Sequence, residues 1–332
     1  LESGSSIRGL TIFYPEQRWS EFLEDKEFTP FPWTIQSLGP NTRLKDVLLV
    51  NSYQGADFGT HDSTGHRIDY LCGAPLKTGL YVDNCFGKGY VKNCQFNPSF
   101  WAWSGYPDSA ESCDGLRNEI AHTLTAFKFG YSEQEHMMHN FSFGSLVGIE
   151  FLSNAQHGGF NGIIVAHGVD HSATSMIFND VGDDAQFVNF QIVSMEVDER
   201  RRYLDIRDTV KGRARFYSLL GWGHGPCAEI GIEQQSGDFT FLLSSFASHA
   251  TDVAIKQTGG KLTSVGMRFG EAINIPIFGG YTSGLYGTFG PDIERADLIG
   301  TVKKTDTPDD DAFINQAGSK LEIKHTTFHQ GY

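Results

Sequence analysis

The sequence predicts an all-β fold, a right-handed parallel β-helix of about 9 to 11 coils with a short helical insertion near residues 114–130. Three observations lead to this prediction. The 332 residues include 38 glycines and 26 phenylalanines, a composition that favours strands joined by many turns. Strand-like segments recur at a nearly constant spacing, and a second series of segments alternates apolar with other residues.

The first series of segments sets the length of one coil. From Leu44 onward its members begin 24, 23, 47, 22, 27, 27, 25 and 23 residues apart. Their first residues are Leu44, Ile68, Val91, Met138, Phe160, Phe187, Ala214, Phe239 and Leu262. Such a period indicates a solenoid, in which each repeat buries its apolar face against its neighbours.

The second series supplies the inward-facing residues. Its segments resemble LDIRD (residues 204–208), with apolar residues at positions one and three. Because side chains alternate along a strand, these positions point to one face. The residues expected inside are Leu80, Phe151, Phe178, Ile206, Ile232 and Ile255. Two strands in each coil, with coils stacked about 4.8 Å apart, match a parallel β-helix.

The interval of 47 residues contains a helical pattern. Asp114 is the expected N-cap, Leu116, Ile120 and Phe127 share one helical face, and Gly130 ends the element. We expect this helix to pack outside the coils.

Domain organisation follows from the repeats. The β-helix is expected to occupy residues 1–290, with its first coils upstream of this sequence. Residues 291–332 are polar and are expected to form an irregular tail with a last strand.

The net charge of the protein limits the kinds of partner that it is expected to bind. The formal net charge is −14, and the basic run at residues 200–202 lies beside acidic residues, so nucleic acid is not an expected partner. No apolar run approaches the roughly 20 residues that a membrane span requires. The sequence leaves the oligomeric state open.

The five cysteines lack CxxC spacing. They are expected mainly as buried apolar residues, with a disulfide as the second interpretation and metal ligation as the last. No metal or cofactor is expected, except that Asp180, Asp183 and Asp184 in FNDVGDDAQF could bind Ca²⁺.

A polar stripe is expected on one outward face. Stacking position four of the second series aligns Arg207, Glu233 and Lys256. The next residue of each segment adds Asp180, Asp208, Gln234 and Gln257. Carboxylates on neighbouring coils would fall within the roughly 5 to 10 Å that glycoside hydrolysis requires.

The candidate catalytic acid and base are Asp180, Asp183, Asp184, Asp208 and Glu233. Mutual repulsion would raise the pKa of one member, as a general acid requires. Alternatively, the stripe is an ion ladder that only solvates an exposed sheet. If these carboxylates are not catalytic, Asp57, His61 and Asp83 are the next candidates.

Candidate substrate-binding residues lie in several segments. In FWAWSGYP, Trp101, Trp103 and Tyr106 form a possible stacking platform for sugars, or else fill the core beneath the insertion. His171 and His224 lie in glycine-containing segments that a ligand could approach. Arg207 and Lys256 are the cations of the stripe.

In repeat period and strand pattern, and in the segments IRGLTIFYPEQ, PFPWTI and LLVNSYQGADFG, the chain resembles the pectin-lyase-like right-handed parallel β-helix superfamily. The resemblance covers roughly residues 7–285. Polygalacturonases of this group carry N-x-D, D-D, G-H-G and R-x-K motifs. Asp183-Asp184, Gly223-His224-Gly225 and Lys256 match parts of them, whereas the N-x-D and the arginine are missing.

The resemblance implies action on carbohydrate, in a secreted, periplasmic or cell-surface protein. A glycoside hydrolase with paired carboxylates is the first expectation. The alternatives are a lyase acting on a uronate-containing glycan, for which Lys256 and Arg207 would neutralise the uronate, and a non-catalytic glycan-binding or structural β-helix of the adhesin or tailspike type.

Overall fold

The computed structural model describes residues 1–194, 201–222, 230–246, 253–269, 287–304, 314–315, 321–323 and 327–330. The chain is nearly all β, with 56% strand and 8% helix, and its parallel strands form a β-solenoid. This confirms the predicted fold class. About seven turns are formed, fewer than the predicted 9 to 11 coils. None of the described helices is long and apolar enough to span a membrane.

The chain divides into two compact units, Leu1–Ser172 and Ala173–Tyr332. The elements that begin in the first unit are β1 (Ser6–Ile12), α1 (Trp19–Asp25), β2 (Trp33–Gln36), β3 (Arg43–Leu49), β4 (Gln54–Phe58), β5 (Arg67–Gly73), β6 (Thr78–Val82), β7 (Cys85–Lys92), β8 (Gln95–Phe96), α2 (Ser99–Ala102), α3 (Cys113–Ile120), β9 (Thr125–Phe129), β10 (Ser132–Met138), β11 (Phe141–Phe151), β12 (Phe160–Val165) and β13 (Gly168–Phe178).

The described elements that begin in the second unit are β14 (Val181–Ser194), β15 (Arg202–Ile206), β16 (Arg213–Trp222), β17 (Ile230–Gln234), β18 (Asp238–Leu242), β19 (Ser245–Phe246), β20 (Val253–Phe269), β21 (Gly287–Lys304), β22 (Ile314–Asn315), β23 (Leu321–Ile323) and β24 (Thr327–Gln330).

Two ladders of parallel strands build the first unit. The first ladder joins β1, β3, β5, β7, β10 and β12. The second ladder joins β2, β4, β6, β9 and the end of β11. Leu80, Phe127 and Ile149 are in register on the second ladder and are fully buried, because every second residue of each strand faces the interior.

The second unit repeats this arrangement. One ladder joins β14, β16, β18, β20 and β21, and the other joins the end of β13 to β15, β17, β20 and β21. The predicted inward residues are confirmed in both units. Each is 0% exposed: Leu80, Phe151, Phe178, Ile206, Ile232 and Ile255.

The predicted register of one strand pair is wrong. The prediction aligned Arg207 with Glu233, but β15 and β17 pair Asp205 with Glu233. A slip of two residues keeps every side chain on its own face, because the side-chain period of a strand is two. The apolar pattern therefore could not distinguish the two registers.

Gln234 and Gln257 were predicted on the outward stripe, yet they face the interior, in register with Ile206, and are 0% exposed. The Gln234 amide nitrogen donates to the carbonyl oxygens of Gly237 and Lys261, at 3.2 Å and 2.8 Å. The Gly237 carbonyl oxygen also accepts a hydrogen bond from Lys261 N at 2.7 Å, so the Gln234 amide adds a side-chain donor to backbone groups at this corner.

The helical insertion is shorter than predicted. Helix α3 begins after Ser112, whose side chain accepts a hydrogen bond from Gly115 N at 3.0 Å, so Ser112 and not Asp114 is the N-cap. The helix ends at Ile120, and Phe127 belongs to β9. An apolar cluster outside the ladders includes buried residues of all three helices and their neighbours: Trp19, Phe22, Phe28, Val50, Ala74, Leu76, Trp101, Ala110, Leu116, Ile120 and Leu124.

Strands continue beyond the expected end of the β-helix. Strand β21 runs through residue 290 and pairs with β20, so its part of the expected tail is not irregular. Strands β23 and β24 lie where a last strand was expected, and both pair with β21.

Candidate functional site

Three of the predicted catalytic carboxylates, Asp180, Asp183 and Asp184, have separate partners. The buried Asp180 accepts hydrogen bonds at Oδ1 from the backbone N–H groups of Val181 and Lys211, both at 3.0 Å. The exposed Asp183 and Asp184 lie 3.8 Å and 3.4 Å from the side chains of Arg213 and Arg215. Within the described part of the chain these aspartates form no group of metal-ligand geometry, so the expected Ca²⁺ site lacks support. Their catalytic role stays a prediction.

Glu233 lies buried between two cations. Its Oε1 accepts a hydrogen bond from Lys256 Nζ at 2.9 Å, and its Oε2 accepts one from Arg202 Nε. Burial acts to raise the pKa of Glu233, but Lys256 and Arg202 together outweigh burial and lower the pKa. Glu233 is therefore held ionised, which does not suit a general acid near neutral pH.

The remaining stripe residues form similar contacts. Arg207 donates a hydrogen bond to Asn179 Oδ1 at 2.8 Å, and its Nε lies 3.5 Å from an Asp205 oxygen. Asp208 is exposed in the turn after β15. These contacts are those of an ion ladder, the alternative interpretation of the stripe, although the partner of Arg207 is Asp205 and not Asp208.

The aromatic segment is divided between core and surface. Trp101 is 0% exposed and packs edge-on against Trp19, with ring centroids 6.2 Å apart. Trp103 is 75% exposed, and Tyr106 is 39% exposed and stacks on Phe13 at 4.4 Å. Trp101 is therefore a core residue that cannot serve in a surface platform, whereas Trp103 and Tyr106 remain accessible.

Of the two histidines predicted to bind substrate, only His171 lies among the described residues. His171 places Nδ1 2.8 Å from Asp170 Oδ1, and its ring lies 5.0 Å from that of Phe143. His224 lies outside the described residues.

A second polar row, which we call the first-unit row, lies on the second ladder of the first unit. Its members are in register and face outward: Gln36, Asp57, Tyr81, Lys128 and Glu150. Gln36 donates a hydrogen bond to Asp57 at 2.7 Å, and Lys128 Nζ lies 3.7 Å from Glu150 Oε2. Although the row faces outward, Asp57 is buried and the other members are only partly exposed. Neighbouring segments therefore cover part of it.

Asp83 adjoins the first-unit row. Tyr81 OH donates to Asp83 Oδ2 at 3.0 Å, while Asp83 Oδ1 accepts from Tyr131 N at 2.7 Å and from the Asn154 amide at 3.0 Å. Burial, followed by the charges of Asp83 and Asp57, raises the pKa of Tyr81. Tyr81 is therefore a neutral hydrogen-bond donor at physiological pH.

Of the alternative candidates Asp57, His61 and Asp83, the two aspartates cap backbone groups. Asp57 Oδ1 accepts hydrogen bonds from Gly59 N at 2.8 Å and Thr60 N at 2.9 Å. His61 is exposed in the following loop. The two carboxylates are thus rigidly held beside Tyr81.

An aromatic patch, consisting of Phe86, Tyr131 and His157, lies next to Asp83. The ring of Phe86 lies 5.6 Å from that of Tyr131 and 4.9 Å from that of His157. Phe86 and His157 are exposed, and Tyr131 is partly exposed. Because Asp83 accepts the Tyr131 N–H and the Tyr81 hydroxyl, it connects the patch to the first-unit row.

Sequence reasoning missed Tyr81, Lys128 and Glu150. A signal for two of them was present, because Tyr81 and Glu150 occupy position two of the segments whose position four was stacked. Lys128 lies in β9, which was interpreted as the end of a helix. The error in helix length therefore concealed the middle of the row.

The interior of the first unit contains one further group of polar residues. His66, Cys85 and Glu135 are all 0% exposed, and their potential ligand atoms lie within 4.8 Å of one another. Burial acts to lower the pKa of His66, but the neighbouring Glu135 carboxylate outweighs it and the pKa is raised to about 10. The described cysteines, Cys72, Cys85, Cys94 and Cys113, are free thiols.

Comparison with known proteins adds no relative to this description. The chain matches no protein-family model, no curated protein and no solved structure.

Proposed function

We propose that the protein binds polysaccharide on the surface formed by the first-unit row and the aromatic patch. One observation carries the proposal: an outward row of polar side chains, held in register on successive strands, adjoins exposed aromatic rings. Sugars offer hydroxyl groups for hydrogen bonds and apolar C–H faces for stacking. A surface with both kinds of partner, on a rigid ladder, suits an extended glycan.

The charges of the row fit this role. Lys128 and Glu150 lie on adjacent strands at 3.7 Å, and both are partly exposed. Tyr81 offers a neutral hydroxyl beside them. Together the three residues provide donors and acceptors without a large excess of one charge, as recognition of hydroxyl groups requires.

Degradation of the bound glycan is the second candidate function. It is favoured by an amine and a carboxylate, those of Lys128 and Glu150, which lie on adjacent strands of one row beside the Tyr81 hydroxyl. The expected hydrolase pair in the second unit has less support, because Glu233 is held ionised by Lys256 and Arg202.

A polysaccharide panel tests the proposal. Affinity gel electrophoresis or calorimetry with neutral and uronate-containing polysaccharides should detect binding to at least one of them. New reducing ends without new absorbance near 235 nm would establish hydrolysis, whereas new absorbance near 235 nm from uronate substrates would establish a lyase. Binding without either product would leave a binding module. Absence of binding across the panel would contradict the proposal.

A further inference from the structure

We propose that His66, Cys85 and Glu135 form a structural zinc site in the interior of the first unit. The three residues lie on or next to three successive strands of the first ladder: His66 immediately precedes β5, Cys85 begins β7, and Glu135 lies in β10. A metal ion held by all three would cross-link these strands. The site does not depend on the proposed glycan surface.

The spacing of the imidazole and the carboxylate suits a tetrahedral ion. His66 Nε2 lies 3.3 Å from Glu135 Oε1, and the candidate ligand atoms of all three residues lie within 4.8 Å of one another. Zinc binds nitrogen, oxygen and sulfur at about 2.0 to 2.3 Å, which places two tetrahedral ligands roughly 3.3 to 3.7 Å apart. The observed separation between nitrogen and oxygen falls at the lower end of this range.

The hydrogen bond of the imidazole also indicates a cation. His66 Nδ1 lies 2.9 Å from the Ser63 carbonyl oxygen, which can only accept, so Nδ1 carries a proton. In the neutral imidazole Nε2 then presents a lone pair towards the carboxylate of Glu135. Two electron-rich atoms at this separation require a proton or a metal ion between them.

The carboxylate provides an independent observation. Within the described part of the chain, Glu135 Oε1 has the 3.3 Å contact with His66 Nε2 and Oε2 has no hydrogen-bond partner, although the side chain is fully buried. A buried carboxylate with an unsatisfied oxygen atom is costly. One shared proton would satisfy a single oxygen atom, and the Cys85 thiol would keep only its hydrogen bond to the Gly87 carbonyl oxygen at 3.5 Å. A metal ion would engage the imidazole, the carboxylate and the thiolate together.

The neighbouring strand leaves room for the side chains of the proposed site. Glu135 is in register with Gly89, and a Cβ atom on Gly89 would lie 2.2 Å from Glu135 Oε2 and 2.3 Å from His66 Cε1. Glycine therefore allows the two side chains to meet above the neighbouring strand. Complete burial of all three residues favours a structural site over a catalytic one, which needs an open position for substrate.

The ligand types select the metal. A thiolate with an imidazole and a carboxylate is a set that zinc binds well, whereas calcium and magnesium prefer oxygen ligands alone. Three protein ligands leave a fourth position. Ser132, the register partner of Cys85, is also buried.

Metal analysis of the purified full chain tests the proposal. We expect about one zinc ion per chain in the wild type, measured by elemental analysis after dialysis. Cobalt substitution should give a thiolate-to-cobalt charge-transfer band. Removal of zinc by a chelator should lower the melting temperature, and added zinc should restore it.

Matched variants locate the site. Cys85→Ser and Glu135→Gln should each weaken zinc binding by more than about 100-fold, whereas Cys94→Ser, which changes another buried thiol, should retain the metal. If Cys85→Ser does not fold, zinc binding by Glu135→Gln and the cobalt spectrum of the wild type still show whether these residues bind the metal. A wild type that binds neither zinc nor cobalt, or a Cys94→Ser variant that alone loses the metal, would overturn the proposal in favour of a buried ion pair.

Discussion

At the scale of single residues, neighbouring charges determine what a carboxylate can do. Glu233 was a candidate acid on the grounds of residue type and outward position, but Arg202 and Lys256 hold it ionised. Asp180 is likewise engaged, since it caps backbone N–H groups. The sequence shows which residues can titrate, whereas the three-dimensional contacts decide in which direction their pKa values move.

The lowered pKa of Glu233 leads to a pH-dependent prediction. A carboxyl group whose pKa falls on folding stabilises the protein above its unfolded pKa, and this contribution is lost as pH falls through the folded pKa. We expect Glu233→Gln to reduce the free energy of unfolding at pH 7 by about 1 to 3 kcal/mol. Below the ordinary pKa of 4.5 the difference from the wild type should shrink.

Urea denaturation at several pH values from about 7 down to about 3 measures this difference. Asp208→Asn, at an exposed position, is the control and should change stability little at any pH. A Glu233→Gln deficit that stays constant over the whole range would show that Glu233 does not titrate as described.

Trp101 and Trp103 provide a matched pair of aromatic substitutions. We expect Trp101→Ala to destabilise the protein by about 3 to 5 kcal/mol, because it empties the centre of the helical cluster. Trp103→Ala should change stability by less than about 0.5 kcal/mol, because the side chain is largely exposed. Chemical denaturation compares the two, and equal losses would contradict this division between core and surface.

At the scale of the strands, polar residues inside the coils fix features that apolar patterning leaves open. Gln234 follows Ile232 on the inner face of β17 and donates to corner carbonyl groups of its own coil and the next. Moving β17 by two residues along β20 would preserve every apolar contact face but lose the hydrogen bond to Lys261. We infer that this contact helps to select the register of β17 and β20.

Substitution of Gln234 tests this role. Gln234→Glu should destabilise the protein by about 2 to 4 kcal/mol, because a carboxylate cannot donate to the carbonyl groups of Gly237 and Lys261. Gln234→Met, which keeps the length without any charge, should cost less. Thermal and urea unfolding measure both variants, and a Met variant less stable than the Glu variant would contradict the assigned contacts.

Some elements could be predicted from sequence, and others could not, for identifiable reasons. The period of the strands and the inward positions, such as Phe178 and Ile206, follow from local alternation that each coil repeats. The end of α3 was misplaced because Phe127 fits both a helical face and an inward strand position. Only pairing with β6 and β11 distinguishes the two.

The buried group formed by a histidine, a cysteine and a glutamate in the first unit could not be predicted from the sequence, for a different reason. His66, Cys85 and Glu135 are separated by 19 and 50 residues, so no short motif contains them. The insertion between β8 and β9 lengthens the second separation. Only the stacking of the coils brings the three residues together, and their burial then shows that they share one environment.

At the scale of the whole molecule, net charge should influence which glycan is bound. The formal charge of −14 repels polyanions at long range, and salt screens this repulsion over a Debye length of about 10 Å at 0.1 M. We expect the affinity for a neutral polysaccharide to change little with salt concentration. The affinity for a uronate-containing polysaccharide should rise as the salt concentration increases. Titrations at low and high salt test this, and tighter binding of the anionic polymer at low salt would contradict it.

The central claim is that glycan binds to the first-unit row, and paired substitutions test it most directly. Lys128→Met with Glu150→Gln removes both charges of one ion pair without leaving either partner alone. Asp183→Asn with Arg213→Met makes the matched change at an exposed pair of the second unit. The measurement is the dissociation constant for the best polysaccharide of the panel, with melting temperature as the check on folding. Affinity should weaken by about 10-fold or more in the first double variant and stay unchanged in the second. Unchanged affinity in the first variant, or a loss confined to the second, would contradict it.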